Sequence, residues 1–398
     1  MRNPTTLGIL ILICVIIFLF YFKFSTYDVE VTYRPDNSEI IRAPPPPPII
    51  EKIQNPKFFL PGKREFYPRR ENMGDCPPLF GKVTIFVAYV ASSMVGHYKV
   101  AQESLQCYLK SVNYEVLMID LDSDERVKKE CSNNKQLFFK KHCAASAYLR
   151  DTDWMLVLDA DTGIANPNHC IEEWIDTRVD IIFYERFFNW EIASGNYLVR
   201  NTQFAYNFLS DWGKWEFHQP QNWNGADNGV LQIHILQTLL PHAKQEIKNC
   251  DAIWHNSTNY NSYMGYVTCC KLALGAKRLW PGQIRIYRRA HGWVRDGFLT
   301  TDRFCERDFM LHGWKNNEVG FKGWESPFKK NLNVSLCGKN LDGWDYREYK
   351  NATCESIRLS LSAFEKSSGR NYPAMGRVLP YLMFPDIGDC FPTCDDEE

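Results

Sequence analysis

The first apolar run is the longest: Leu7 to Phe22 carries no charge, and Lys23 can snorkel outward from its end. Roughly 20 such residues suffice to cross a bilayer, and no small-x-small cleavage site follows. An uncleaved signal anchor over 7–24 is expected, behind a cytoplasmic tail at 1–6. Next comes "RAPPPPPIIEKIQNPKFFLPGKREFYPRRE", whose five consecutive prolines favour an extended spacer, a stem over 25–75. From Lys82 the pattern changes again. "VTIFVAYV" is a short β-branched apolar run, and "YKVAQESLQCYLKSVN" sets Ala101, Leu105, Tyr108, Leu109 and Val112 at helical spacing before the strand-like "EVLMID". That is a β-α-β unit.

The alternation continues with a helix, "QLFFKKHCAASAYL", and the near-continuous apolar strand "WMLVLDAD", of the kind buried on both faces of a parallel sheet. "DIIFYE" and "ASGNYLVRN" read as further strands, and "TQFAYNFLSDWGKW" as a helix. The fold class is α/β, a sheet flanked by helices, with ligands expected beyond the carboxyl ends of the strands. After about Ser326 the alternation fades while cysteines and glycosylation sequons accumulate. A body over 76–325 and a disulfide-tied extension over 326–398 are therefore predicted.

Composition narrows the setting. At 398 residues and 45% hydrophobic, the chain can bury a large core, and a net charge of -1 argues against nucleic acid as a partner. Sequons at Asn256, Asn333 and Asn351, with fourteen cysteines of which only Cys14 lies in the apolar run, point to an oxidising compartment. No zinc-type pair of CxxC motifs exists, so disulfides are the expected fate of Cys269, Cys270, Cys390 and Cys394. Together these features predict a single-pass protein of the endoplasmic reticulum or Golgi membrane with its body in the lumen, secretion being the alternative.

Four Asp-x-Asp pairs occur: Asp120/Asp122, Asp122/Asp124, Asp151/Asp153 and Asp159/Asp161. Asp151 and Asp153 precede their strand, at the wrong edge of a parallel sheet. Asp120 does end a strand, but Asp122 and Asp124 run into the charged "ERVKKE". Asp159 and Asp161 end the most apolar strand and precede Thr-Gly. In extended backbone both carboxylates project to one side, where they can hold a hard cation such as Mn²⁺ or Mg²⁺. Spacing alone leaves a helix cap as the equal alternative.

"DWMLVLDADTGIANP" resembles the nucleotide-sugar-binding strand of the GT-A superfamily of glycosyltransferases, especially its retaining galactosyltransferase-like and glycogenin-like members. The resemblance spans roughly Lys82 to Lys315. It implies a GT-A, Rossmann-like mixed sheet, with Asp161 on the metal and Asp159 on metal or ribose. "ASGNYLVRNTQFAYNFLSDW" resembles the strand lining the donor sugar, which implicates Ser194 and Gly195. "ADNGVLQIHIL" resembles the Asp-Gln segment of these families, setting Asp227 and Asn228 near donor and acceptor hydroxyls. A late histidine of the His-x-x-Gly-x-x-Lys type supplies the third ligand in these families; His312 with Lys315 is favoured over His291. This stretch departs from the pattern, since Gly313 follows the histidine directly and the lysine comes three residues on. If the fold is of this type, the donor nucleoside belongs near Ala88, Tyr89 and Ser92, with Lys140 or Lys141 toward phosphate. Glu191 or Asp227 is a candidate to assist chemistry, and Trp190, Trp223 and Trp293 are candidates at the mouth. The implied reaction is metal-dependent transfer from a nucleotide diphosphate sugar, UDP-linked in preference to GDP-linked, to a glycan or glycoprotein hydroxyl with retention. The competing expectation is a sugar-binding or extracellular structural protein of the same fold without turnover. The chain with its anchor and stem also resembles a nematode-expanded family of uncharacterised GT-A-like membrane proteins.

Overall fold

The computed structural model of the chain describes residues 73–320, 324–338 and 340–371. The run "VTIFVAY" forms β1 (Val83–Tyr89), followed by helices α1 (Ala91–His97) and α2 (Lys99–Leu109) and by β2 (Glu115–Asp120). Then come α3 (Glu125–Glu130), α4 (Leu137–Leu149), β3 (Trp154–Leu158), β4 (Thr162–Ile164), β5 (Ile181–Tyr184) and β6 (Tyr197–Arg200). Helices α5 (Gln203–Lys214), α6 (Ala226–Leu239), α7 (Lys244–His255) and α8 (Tyr260–Leu274) lead to β7 (Leu279–Trp280), β8 (Ile284–Tyr287), β9 (Val294–Asp296), β10 (Met310–His312) and the late helix α9 (Cys354–Asn371).

Seven strands make the main sheet in the order β2-β1-β3-β6-β5-β8-β7. Its β2, β1 and β3 are parallel neighbours, and β5 is parallel to β8. Alternation divides the central strands between two buried layers. Ile85, Val87, Leu156 and Leu158 join Ala101, Leu105 and Tyr108 on one side. Phe86, Ala88, Met155 and Val157 meet Phe139, Leu149, Trp212 and Val230 on the other. Each fully buried large apolar side chain contributes roughly 1.5–3 kcal/mol relative to exposure, so the runs without charge are the ones that must lie inside.

Two features give the expected mixed sheet its form. The "ASGNYLVRN" run is a strand only over Tyr197–Arg200, and it lies antiparallel to both β3 and β5. Its first residues are drawn out of the ladder by side chains: the Ser194 N–H donates to Asn228 Oδ1 at 3.2 Å, and Asn196 Oδ1 accepts from the Asp159 N–H at 3.0 Å. Second, a small sheet in the order β4-β10-β9 forms beside the main one. In it, His312 is opposite Thr162 in antiparallel β4 and level with Asp296 in parallel β9.

The described residues after Ser326 share the main core: Phe328, Leu332 and Trp344 pack into the layer under β1 and β3. Disulfides Cys107–Cys337 and Cys305–Cys354 tie it down, and Cys76–Cys170, Cys131–Cys143 and Cys250–Cys269 complete the pairs among the described residues. Cys270 corrects one expectation. It is a buried free thiol, because its neighbour Cys269 already pairs with Cys250. The expected anchor, most of the stem, and Cys390 with Cys394 lie outside the described residues; among those described, no helix is long and apolar enough to cross a membrane.

Candidate metal centre

Strand β3 runs apolar to its last residue and releases Asp159 at its carboxyl end. A tight turn, closed by the Thr162 N–H donating to the Asp159 carbonyl at 3.0 Å, then aims Asp161 back at the same point. The small sheet brings in the third group, since His312 pairs with the residue that follows Asp161. His312 Nε2 lies 3.3 Å from Asp161 Oδ1 and 3.6 Å from Asp159 Oδ2. One ligand atom from each of the three fits within 4.8 Å of the others.

Behind the imidazole, His312 Nδ1 donates to Asp296 Oδ1 at 2.9 Å, and Arg186 Nη2 reaches the same oxygen at 2.8 Å. That fixes the orientation of the ring and turns Nε2 toward the two aspartates, as carboxylates behind metal-binding histidines do. Burial opposes an imidazolium here, but Asp161, Asp159 and Asp296 outweigh it and hold His312 protonated well above its ordinary range. Burial likewise opposes ionisation of Asp159, and Lys141 with His312 overcomes it, keeping the carboxyl far below the usual range.

The site fits a cation on two observations. Asp161 Oδ2 is buried and accepts no hydrogen bond. Gly195 leaves room where any Cβ would stand 2.0 Å from Asp159 Oδ2. The other group of ligand types among the described residues, Cys76, Cys170 and Glu172, has both sulfurs bound in a disulfide.

A second layer connects this centre to α6. Lys141, buried on α4, places Nζ 2.8 Å from Asp159 Oδ1, 3.6 Å from Asp227 Oδ2 and 3.5 Å from the Ser194 carbonyl. Asp227 in turn accepts from His142 Nε2 at 3.1 Å, and His142 Nδ1 accepts from the Tyr197 hydroxyl at 3.0 Å over a stacked Trp212. Burial depresses His142 to about 4, so it stays neutral beside Asp227. Asn228 holds the Ser194 amide. Lys315, mostly exposed, stands 3.5 Å from Asp161 Oδ2.

The remaining candidates separate cleanly. Ala88 is one step past the Val87 to Leu158 pairing at the carboxyl end of β1, Tyr89 is the last residue of that strand, and Ser92 lies in the first turn of α1. Lys140 points elsewhere, to Asp122 at 3.4 Å. Glu191 is buried, accepting from the Tyr263 hydroxyl at 2.5 Å and from the Asn189 carboxamide. His291 is buried apart from the aspartates, its Nδ1 2.9 Å from the Arg289 carbonyl. Trp190 and Trp293 are core residues rather than rings at the mouth, and only Trp223 of the three is exposed. The rival acidic pairs have local duties. Asp120 accepts from Ser123 Oγ, Asp124 caps α3, Asp151 pairs with Arg126, and Asp153 accepts from the Lys82 N–H. Sequence reasoning missed Asp296, Asn196, Arg186 and His142. Asp296 ends a three-residue strand, Val-Arg-Asp, that offers no apolar run to mark it.

Residues 105–323 match the family model described as "Protein of unknown function, DUF273". No curated protein sequence matches the chain. Among solved structures, the chain is similar to a glycosyltransferase involved in the glycosylation of the major capsid of PBCV-1. Identity is 13% over 59% of this chain and 95% of that one, with a TM-score of 0.35. It is also similar to the glycosyltransferase GlyE of Streptococcus pneumoniae TIGR4, at 12% identity over 48% and 60% of the two chains and a TM-score of 0.26.

Proposed function

This chain belongs to the DUF273 family, and from that premise and the site geometry we propose that it is a metal-dependent glycosyltransferase. It would act from a nucleotide diphosphate sugar, UDP-linked in preference, on a glycan or glycoprotein hydroxyl, with a GT-A-type fold. The observation that carries the reading is the convergence of Asp159, Asp161 and an Asp296-oriented His312 at the carboxyl edge of the sheet. The sequence resemblance of Leu158 to Asp161 to the GT-A strand supports it.

In this reading Asp159, Asp161 and His312 would hold Mn²⁺ or Mg²⁺, which would supply positive charge to offset that of a departing diphosphate. Lys315, exposed at the rim, swings from Asp161 to a phosphate oxygen. Ser194 and Gly195 form the floor beside Asp159, where the absent Cβ admits a close ligand. Lys141 fixes the charge balance between Asp159 and Asp227, and His142 keeps the Asp227 carboxylate turned toward that lysine. The acceptor hydroxyl oxygen would bond to the anomeric carbon on the face that the diphosphate leaves, as the resemblance to retaining families implies, while the carbon–oxygen bond to the diphosphate breaks and the hydroxyl proton passes to the departing diphosphate oxygen. Five disulfides and three sequons support a lumenal body, and Leu7 to Phe22 supports anchoring in a Golgi or endoplasmic reticulum membrane.

One observation favours a second reading, a sugar-binding protein without turnover: Lys141 and Arg186 already contact Asp159 and Asp296, and His312 lies against Asp159, Asp161 and Asp296. Calorimetry of the full chain with UDP-sugars, with and without Mn²⁺, separates the two. Transfer predicts binding that requires Mn²⁺ and vanishes in Asp161→Ala; binding indifferent to both rules it out.

A further inference from the structure

An aspartate in a turn ordinarily accepts from backbone N–H groups, which need an acceptor wherever water is excluded. The rival acidic pairs are of that kind. Asp120 accepts from the Asp122 N–H at 3.3 Å, Asp124 from the Val127 N–H at 2.8 Å, and Asp153 from the Lys82 N–H at 2.8 Å. The turn from Asp159 to Thr162 is built differently. Its carboxylate oxygens face the side chains of Lys141, His312 and Lys315, and its backbone is held from outside.

Two buried carboxamides from different elements hold it. Asn196, 1% exposed, stands one residue before the pairing of Tyr197 with Val157. Its Oδ1 accepts from the Asp159 N–H at 3.0 Å and from the Thr162 hydroxyl at 2.9 Å, and its Nδ2 donates to the Tyr184 hydroxyl at 3.2 Å. Gln102, 6% exposed on α2, donates from Nε2 to the Ala160 carbonyl at 2.7 Å. One amide therefore grips the start and end of the turn, and the other its middle. The Asp161 carbonyl is taken by the Gly313 and Trp314 N–H groups at 3.2 and 2.9 Å. Two carboxylates aimed at one point repel, and a turn free to relax would let them splay. Clamped in this way, they keep one spacing. Mg²⁺ demands near-ideal geometry at about 2.0–2.1 Å, whereas Ca²⁺ takes more oxygens at about 2.3–2.6 Å in flexible sites, so a fixed spacing favours the smaller ion.

We propose that Asn196 and Gln102 are positioning residues that set the ion preference of the site: by holding the backbone of the turn they leave both carboxylates to the cation, at a spacing that disfavours Ca²⁺. Neither residue touches the ion. This assignment rests on the reading above that Asp159, Asp161 and His312 hold a divalent cation.

The test uses the full chain, reading Mn²⁺ binding by electron paramagnetic resonance and ranking Mg²⁺ and Ca²⁺ by how well each displaces it. Asn196→Ala removes one clamp, and Gln102→Met removes the other with little change of volume. In each, the ratio of Mg²⁺ to Ca²⁺ affinity is expected to fall about tenfold or more from the wild-type value. Asn196→Asp keeps an oxygen acceptor in place and should keep the wild-type ratio, because an added charge acts on both ions alike. A ratio unchanged in Asn196→Ala and Gln102→Met, or lost as fully in Asn196→Asp, overturns the assignment, while loss of Mn²⁺ in Asp161→Ala keeps the cation site. Mn²⁺ binding that is absent from the wild type, or indifferent to Asp161→Ala, removes the cation reading and the assignment with it. If circular dichroism shows Asn196→Ala unfolded, Gln102→Met and Asn196→Asp decide the matter.

Discussion

Asp296 touches no proposed ligand, yet it decides which nitrogen His312 offers. Asp296→Ala is expected to lower Mn²⁺ affinity about 10–100-fold in a calorimetric titration, and Asp296→Asn less, because its carbonyl still accepts from Nδ1. His234 supplies a prediction of a different kind. Its Nε2 donates to the Phe208 carbonyl at 3.0 Å and its Nδ1 accepts from Trp215 Nε1 at 3.3 Å, so a proton on Nδ1 would face another donor. Burial depresses it to about 4, below the value near 6.5 of the unfolded chain. The unfolded state therefore binds more protons between those values, and stability is full above about 6.5 and falls as pH drops toward 4. The loss is roughly 3 kcal/mol, readable as a smaller drop in urea midpoint between pH 7 and 4.5 for His234→Gln than for wild type. At this scale the position of Asp159 and Asp161 after an apolar strand was legible as a local fact, and the resemblance to the GT-A strand made them the candidate pair. Arg186 and its contact with Asp296 were illegible, since that pairing exists only once distant segments meet.

Strands of three residues offer no period to read, and the small sheet of β4, β9 and β10 escaped notice for that reason. Long apolar strands were legible, but their direction was not: an apolar run looks the same forwards and backwards, so β6 was read as one more strand without its antiparallel setting. Gly163 in β4 lies against the Trp314 ring, where a Cβ would fall 2.0 Å from a ring carbon. Gly163→Ala is expected to cost about 1–3 kcal/mol through overpacking and to displace β10. Both a lower melting temperature and weaker Mn²⁺ binding should appear, since β10 ends in His312. Helix α4 carries Lys141 and His142 next to Cys143, whose disulfide to Cys131 closes a short loop. Replacing both cysteines with Ala should cost about 3 kcal/mol by the loop-closure argument, seen as a lower urea midpoint.

Cysteine count and sequons made disulfides the expectation, but pairing is a property of the folded chain and could not be read from spacing. Cys107–Cys337 and Cys305–Cys354 hold the sequence after Ser326 into the core, so that segment is structural material of the body. Reduction of the full chain under native conditions is expected to render the region around 326–371 the earliest to be cut by protease, as followed by mass spectrometry. The register of β10 has one more consequence. Asp161 and His312 lie far apart in the chain, and the ends of so long a loop are expected to meet late, once the entropy of closing it has been offset by other contacts. Mn²⁺ uptake during refolding is therefore expected to lag behind helix formation and to coincide with amide protection in Thr162–Ile164 and Met310–His312, which makes the cation a clock for the last step of folding.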